Sequence, residues 1–324
     1  MLYGKYEFVC RFQDEARLPP FKGSTVRGLL GHALRRVVCA LKRQECPECL
    51  LRHDCLYARM FGLPPPNAKV AANASAEPHP FVLEPPLEEK TVYQPGETIT
   101  IGLILFGEIN HKLPYFIYAF DEMGRIGMGK RVGGQRGRFK LEEVRWGAET
   151  IFNPVDGKIR LPDSLPQLSL KTGRSEGSAD SLTVKLLTPL RFKRNGRLDD
   201  ALPFDQLVRL SLRRASSLLV TFDGGEPPLD YQGMIERASA VHTVSADLVW
   251  KDLERYSARQ KKRIPLGGLS GSISYSGNLR EFLPLIDFAT RTHLGKNSSF
   301  GLGAIKLAPM PDHGPGQFRE NRNE

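Results

Sequence analysis

The chain has 324 residues, 40% of them hydrophobic, and carries a formal net charge of +10. That length is enough for two ordinary domains, each with its own core, and the charge points to an anionic partner. No apolar run approaches membrane-spanning length, so nucleic acid is preferred over lipid and no membrane partner is expected. The opening MLYGKYEFVCRF lacks a signal-peptide layout. Five cysteines, four of them inside seventeen residues, do not make a secreted disulfide framework. A cytoplasmic protein is the expectation.

Tyr6 to Phe12 alternates and is rich in aromatic and β-branched types, which predicts a strand. After the turn LPPFKGS, Ser24 is placed to cap a helix from about Thr25 to Leu41. Val26, Leu30, Ala33, Leu34, Val37 and Leu41 share one arc of that helix, and Gly28, His32, Arg35, Arg36 and Cys39 share the opposite arc. On the polar arc Gly28 and Gly31 remove bulk beside His32, while Arg35 and Arg36 bring positive charge, so an anion could lie close. A solvated helix face with an exposed histidine is the plainer alternative.

Cys39, Cys46, Cys49 and Cys55 follow with the spacing C-x6-C-x2-C-x5-C. Closely spaced thiolates can hold one metal from a short loop. Four soft ligands suit structural zinc, with an iron–sulfur cluster as second choice. Cys39 could still be helical, and His53 could replace it.

Residues 62–96 are rich in Pro and Ala, with a short strand at Phe81 to Glu84 and a turn at Gln94 to Glu97. The strand Thr98 to Phe106, a helix, a glycine-rich loop and a strand closing near Trp146 come next. The order is strand, helix, strand, strand, helix, strand: the ferredoxin-like βαββαβ arrangement shared with RNA-recognition-motif domains. Residues 150–179, with scattered Pro, Gly and Ser, read as a linker.

The second half replays the plan. A strand from Leu182 to Phe192 ends TPLRFKRNGR, and a helix from Phe204 to Leu219 carries Arg213 and Arg214. Long strands at Val244 to Arg255 and Ile264 to Tyr275 are joined by the basic segment RYSARQKKR, and a helix spans Leu279 to Thr292. Residues 310–324 read as a disordered polar tail.

The halves also share a sequence register. GKNSSFGLGAIKL at 295–307 matches GKRVGGQRGRFKL at 129–141, with Gly, Lys, Gly, Lys and Leu recurring 166 positions apart (295 minus 129). Glycines at this density let backbone N–H groups turn towards an anion, and a neighbouring Lys adds a point charge. Gly295, Lys296, Ser298, Ser299, Gly301 and Gly303 would hold phosphate in one copy, and Lys130, Arg131, Arg136 and Arg138 in the other. A tight helix-to-strand turn needing positive φ is the alternative.

FKGSTVRGLLGHALRR followed by CPECLLRHDCLYARMFG, the strand LLTPLRFK, the stretch WKDLERYSARQ and the closing GKNSSFGLGAI together resemble the CRISPR-associated RAMP proteins. Within them, the resemblance is to the endoribonuclease that processes precursor CRISPR RNA, and it covers nearly the whole chain. It implies an α+β protein of two tandem ferredoxin-like βαββαβ domains, 1–149 with the Cys-rich insertion at 39–55, and 180–309. It also implies CRISPR repeat RNA bound between them and metal-independent cleavage by the 2′-OH beside the scissile phosphate. The ends left are a 2′,3′-cyclic phosphate and a 5′-OH.

Such chemistry needs a base, an acid and cations for the charge on phosphorus. Family active sites draw a His from near the first helix, which gives His32 the catalytic role, with Tyr256 and His293 behind it. Arg35, Arg36, Arg191 and Lys193 join the glycine loops as RNA contacts. Subunits of a CRISPR effector complex are the further partners implied, and the oligomeric state stays open. A RAMP subunit that binds guide RNA without cutting it is the alternative function; a redox iron–sulfur protein is a remoter one.

Overall fold

The computed structural model describes residues 1–62, 77–161, 164–170, 180–194, 196–257 and 261–308. The polar tail at 310–324, with His313, lies outside the described residues, as do the middle of the Pro/Ala-rich stretch and all of 171–179. The chain begins with β1 (Tyr3–Phe12) and β2 (Ala16–Arg17), then α1 (Gly23–Val38), α2 (Leu56–Phe61), β3 (Phe81–Glu84), β4 (Val92–Tyr93) and β5 (Thr98–Phe106). After α3 (Leu113–Ile126) come a hairpin of β6 (Met128–Val132) and β7 (Gln135–Gly137), then β8 (Phe139–Trp146) and β9 (Glu149–Phe152). The main sheet of this half is antiparallel in the order β3-β5-β1-β8-β9, and a smaller sheet runs β4-β2-β6-β7.

The second half contains β10 (Ser181–Leu190), a small ribbon of β11 (Lys193–Arg194) and β12 (Arg197–Leu198), α4 (Phe204–Phe222) and α5 (Tyr231–Ala238). It continues through β13 (His242–Lys251), a hairpin of β14 (Glu254–Ser257) and β15 (Lys262–Pro265), β16 (Gly268–Ser276), α6 (Leu283–Thr292) and β17 (Ile305–Ala308). Its sheet is antiparallel in the order β13-β16-β10-β17. The fold is mixed α+β on antiparallel sheets, as the periodicities predict.

Alternation along β3 and β5 divides the core. Phe81, Leu83, Leu103 and Leu105 pack under α1 and α3 with Phe8, Leu30, Phe116 and Phe120. Their neighbours Val82, Ile104 and Phe106 point to the opposite face and join Leu190, Phe204, Leu207, Tyr275 and Ile286 of the second half. Each is fully buried there, worth about 1.5–3 kcal/mol apiece. The near-continuous apolar run of β5 therefore serves two cores, and the halves are packed together rather than tethered.

Three expectations are corrected. In its described part, 150–161 and 164–170, the stretch expected as a linker is tied into the fold: Phe152 pairs with Val144, Gln167 bridges Leu2, and Leu168 is buried in the second core. Ser24 is not the helix cap, because α1 starts at Gly23 with Lys22 at the cap position and no side-chain cap bond. The long strands after His242 break near Leu253. Pro265 lacks a ladder N–H, and Gly267 and Gly268 lie where a Cβ would stand 2.7 Å and 2.6 Å from the carbonyls of Lys251 and Leu190.

A basic cleft as the candidate functional site

A cleft of about 1670 Å³ opens between α1, the β6–β7 hairpin and β14. α1 buries Val26, Leu29, Leu30, Ala33 and Leu34 and turns its other arc outward. That arc gives the cleft Ser24, Thr25, Gly28, His32 and Arg36, including the first helical turn, where free backbone N–H groups favour anions. His32 is exposed. Gly28 faces open space, with no atom within 4 Å of the place its Cβ would take. Gly31, expected to clear room beside His32, instead packs on Phe61, whose nearest ring atom would stand 3.3 Å from a Cβ.

The hairpin supplies the opposite wall with Lys130, Arg131 and Arg136. The expected glycine loop of the first copy is therefore a two-stranded arm. Gly133 and Gly134 form its tip at φ +58° and +86°, the conformation a tight hairpin turn needs. Arg17, Arg125 and Arg138 complete this side, and Glu254 is the one carboxylate lining the cleft among the described residues. Arg138 is fixed by Asp14 at 2.7 Å, and Arg36 by Glu122 at 2.9 Å. The hydrogen bond from Arg138 holds the Asp14 carboxyl below its usual range, against the pull of desolvation.

Arg255 reaches the cleft from the second half. Its guanidinium carbon lies 4.9 Å from the centroid of Phe300, and its buried Nε has no hydrogen-bond partner among the described residues. Sequence reasoning missed Arg17, Arg125 and Arg255. Arg255 opens the basic run RYSARQKKR, but nothing in its spacing places it in one cleft with His32.

The second glycine loop does a different job from its first copy. Asn297, Gly301 and Gly303 take φ of +64°, +91° and +73° around a 3-10 turn at Ser298–Phe300. A side chain at Gly23 would meet the carbonyl of Phe300, one at Gly301 that of Leu83, and one at Gly303 that of Leu294. The loop is pressed onto α1 and β3. Ser299, Gly301 and Gly303 are buried, so the expectation that they hold phosphate is corrected: they pack the halves together.

Lys296 remains exposed at the loop's start, and Ser298 is half-buried. Desolvation, then Lys193, Arg191 and Arg213, lower the Lys296 pKa, which gathers these four cations into a second basic patch. Gly295 admits the carbonyl of Arg191, which accepts from Lys296 N at 2.7 Å. Arg191 itself donates to Gly267 O at 2.7 Å. The residues expected to bind RNA thus fall into two groups, and His32 belongs with the first.

His293 is corrected as well. It is 1% exposed, with Nδ1 3.1 Å from Leu302 O and Nε2 3.2 Å from Glu84 Oε1, so it bonds the loop to β3. Burial alone would raise the Glu84 carboxyl, but His293 and Lys5 overcome this and hold it at about 2.

Cys39, Cys46, Cys49 and Cys55 line one small cavity with Arg35, Gln44, Arg52 and Tyr57. Cys39 has left the helix and is extended. All four are free thiols, and no three His, Cys, Asp or Glu side chains among the described residues gather as a metal site. No described helix is long and apolar enough to cross a membrane.

Residues 1–164 match the family AF_1859_N, described as an N-terminal domain, and residues 184–305 match the family described as CRISPR-associated endoribonuclease Cas6. An uncharacterized protein of Archaeoglobus fulgidus is 25% identical over 294 residues, 90% of this chain and 92% of that one. A Cas6 product complex superposes with a TM-score of 0.57 at 14% identity, covering 95% of this chain and all of that one. A partial Cas6-RT-Cas1–Cas2 complex gives 0.56 at 14% identity, covering 95% of this chain and 46% of that one. The chain belongs to the AF_1859_N family, whose domain forms its first half, and its second half matches the Cas6 endoribonuclease family over residues 184–305.

Proposed function

We propose that this protein is an endoribonuclease that cleaves precursor CRISPR RNA within the repeat. The observation that carries the reading is His32 standing exposed in a cleft walled by cations from both halves. In this account the 2′-oxygen beside the scissile phosphate forms a bond to phosphorus as the bond to the 5′-oxygen breaks. The 2′-OH gives up its proton and the departing oxygen takes one, leaving a 2′,3′-cyclic phosphate and a 5′-OH. His32 carries one of these protons, since an imidazole nitrogen can both accept and donate one. Lys130, Arg131, Arg136 and Arg255 stabilise charge gathering on the phosphate oxygens. RNA supplies its own nucleophile, so no catalytic metal is required.

We read each half as one ferredoxin-like unit. In support, both sheets run second, third, first, fourth strand when counted within their own half: β3-β5-β1-β8 and β13-β16-β10-β17. Lys296, Lys193 and Arg191 then form a second contact for the RNA backbone. Effector-complex subunits are further partners in this reading, and action on a transcript places the protein in the cytoplasm.

We assign structural zinc to Cys39, Cys46, Cys49 and Cys55, on the ground that all four residues line one small cavity. Zinc bound there would pin the loop after α1 and add its binding energy to folding. Elemental analysis of freshly purified protein tests this. One zinc per chain, lost with unfolding of the first half in Cys49→Ser, is expected, and absence of metal contradicts it.

Incubating the protein with its repeat RNA in EDTA tests the activity. A single cut with a cyclic-phosphate end is expected. An intact RNA–protein complex would assign the chain to the non-cleaving RAMP subunits.

A further inference from the structure

We propose that a groove beside the cleft is a base-stacking subsite, in which Tyr118 receives one unpaired nucleobase of the RNA next to the nucleotides at His32. The proposal rests on the cleft being an RNA site, but adds a place the catalytic reading does not use. The groove, about 560 Å³ and large enough for a nucleotide, lies between α1 and α3 and is lined by His32, Arg35, Arg36, Lys42 and Tyr118. His32 and Arg36 line the main cleft too. The two depressions therefore meet at His32, and a strand leaving the cleft past the imidazole enters the groove.

Tyr118 is the aromatic group waiting there. On α3 its neighbours Phe116 and Phe120 are fully buried, whereas Tyr118 is 52% exposed. Its hydroxyl helps raise the pKa of Arg125, a residue of the main cleft, so the two side chains are neighbours. The charge around it suits a nucleotide rather than an apolar ligand. Arg35 and Lys42 have no carboxylate partner among the described residues, and the one acidic lining residue, Glu122, is held by Arg36 at 2.9 Å and Arg125 at 3.7 Å. A cationic groove tracking the backbone, with an aromatic face for a base, is how single strands are held without base-edge readout.

The test places 2-aminopurine, in turn, at each position of a single-stranded repeat RNA carrying a 2′-deoxy sugar throughout the cleavage region, and measures its fluorescence on binding. Quenching is expected at one position near the cut, lost in Tyr118→Ala and kept in Tyr118→Phe. Affinity should fall on the order of 5- to 150-fold in Tyr118→Ala, the range of one lost base–aromatic stack. Tyr115, 46% exposed on the same helix but outside the groove, is the control, and Tyr115→Ala should leave the quench unchanged. Quenching that survives Tyr118→Ala, is absent at every position, or is lost equally in Tyr115→Ala overturns the proposal. Cleavage of all-ribose RNA is scored separately, so failure to cut counts against the endoribonuclease reading alone.

Discussion

Arg27 Nε donates to Ser299 Oγ at 3.2 Å, joining residues 272 positions apart and bonding α1 to the glycine loop of the other half. The Arg27 guanidinium lies 4.4 Å from the centroid of Phe300, 5.1 Å from that of Phe61 and 5.8 Å from that of Phe81. Burial, then the charge of Arg255, lower its pKa to about 10, which still leaves it cationic at neutral pH. A desolvated cation among aromatic faces is worth about 2 kcal/mol, and a hydrogen bond from a charged group about 1.5–3 kcal/mol. Arg27→Ala should therefore destabilise the fold by about 2–4 kcal/mol in chemical denaturation, and an unchanged midpoint would contradict this role.

His79 makes the same junction sensitive to acid. Its Nε2 accepts from Arg27 Nη2 at 3.3 Å, so its Nδ1–H donates to Met60 O at 3.1 Å. Burial and the Arg27 charge lower its pKa from 6.5 to about 4. In the unfolded chain His79 takes a proton below about 6.5, while in the folded chain it resists until about 4. Stability is therefore lost as pH falls across that window, by up to about 3 kcal/mol. His79→Gln should be less stable than wild type at pH 7.5 yet lose less stability on acidification to pH 4. Parallel pH profiles for the two proteins would refute the assignment.

The hairpin cations should act through the RNA backbone. Lys130, Arg131 and Arg136 are exposed and in no ion pair among the described residues. Changing all three to Gln should flatten the dependence of log affinity on log salt by about 2 for a single strand, at about 0.7 per phosphate contact. The loss should be similar for unrelated RNA sequences. An unaltered slope in binding titrations would remove the hairpin from the interface.

Gly28 should separate stability from binding. Its Cβ position is empty for 4 Å around, and glycine inside a helix costs about 1 kcal/mol relative to alanine. Gly28→Ala should therefore raise the melting temperature. Gly28→Phe should fill the cleft beside His32 and weaken repeat-RNA binding without unfolding the protein. Undiminished affinity in that variant would mean that RNA does not pass over this face of α1.

Much of this architecture is legible in the sequence because periodicity reports burial. The strand Thr98 to Phe106 and the polar arc of α1 follow from which residues must leave water. The cleft's lining was legible where it sits on one element, as with His32 and Arg36, or on one hairpin, as with Lys130, Arg131 and Arg136. The division of β3 and β5 between two cores was not, since an apolar run does not say what lies on either face. Nor was the fate of the two glycine copies. The same residue types form an open arm where nothing covers them and a buried clamp where β3 and α1 do, and only the tertiary contacts of Gly301 and Gly23 decide between these outcomes. Arg27 and His79 were passed over for the same reason: their partners lie far away in sequence.

The central claim is that His32 moves a proton, and single-turnover cleavage of repeat RNA by His32→Ala tests it most directly. Loss of a general acid or base costs on the order of 100- to 10,000-fold in rate. The cleavage rate should therefore fall at least about 100-fold, while repeat-RNA affinity stays within a few fold of wild type, because His32 is exposed and the cations of the cleft remain. A near-normal cleavage rate in His32→Ala would contradict the account and assign the proton transfer to another residue.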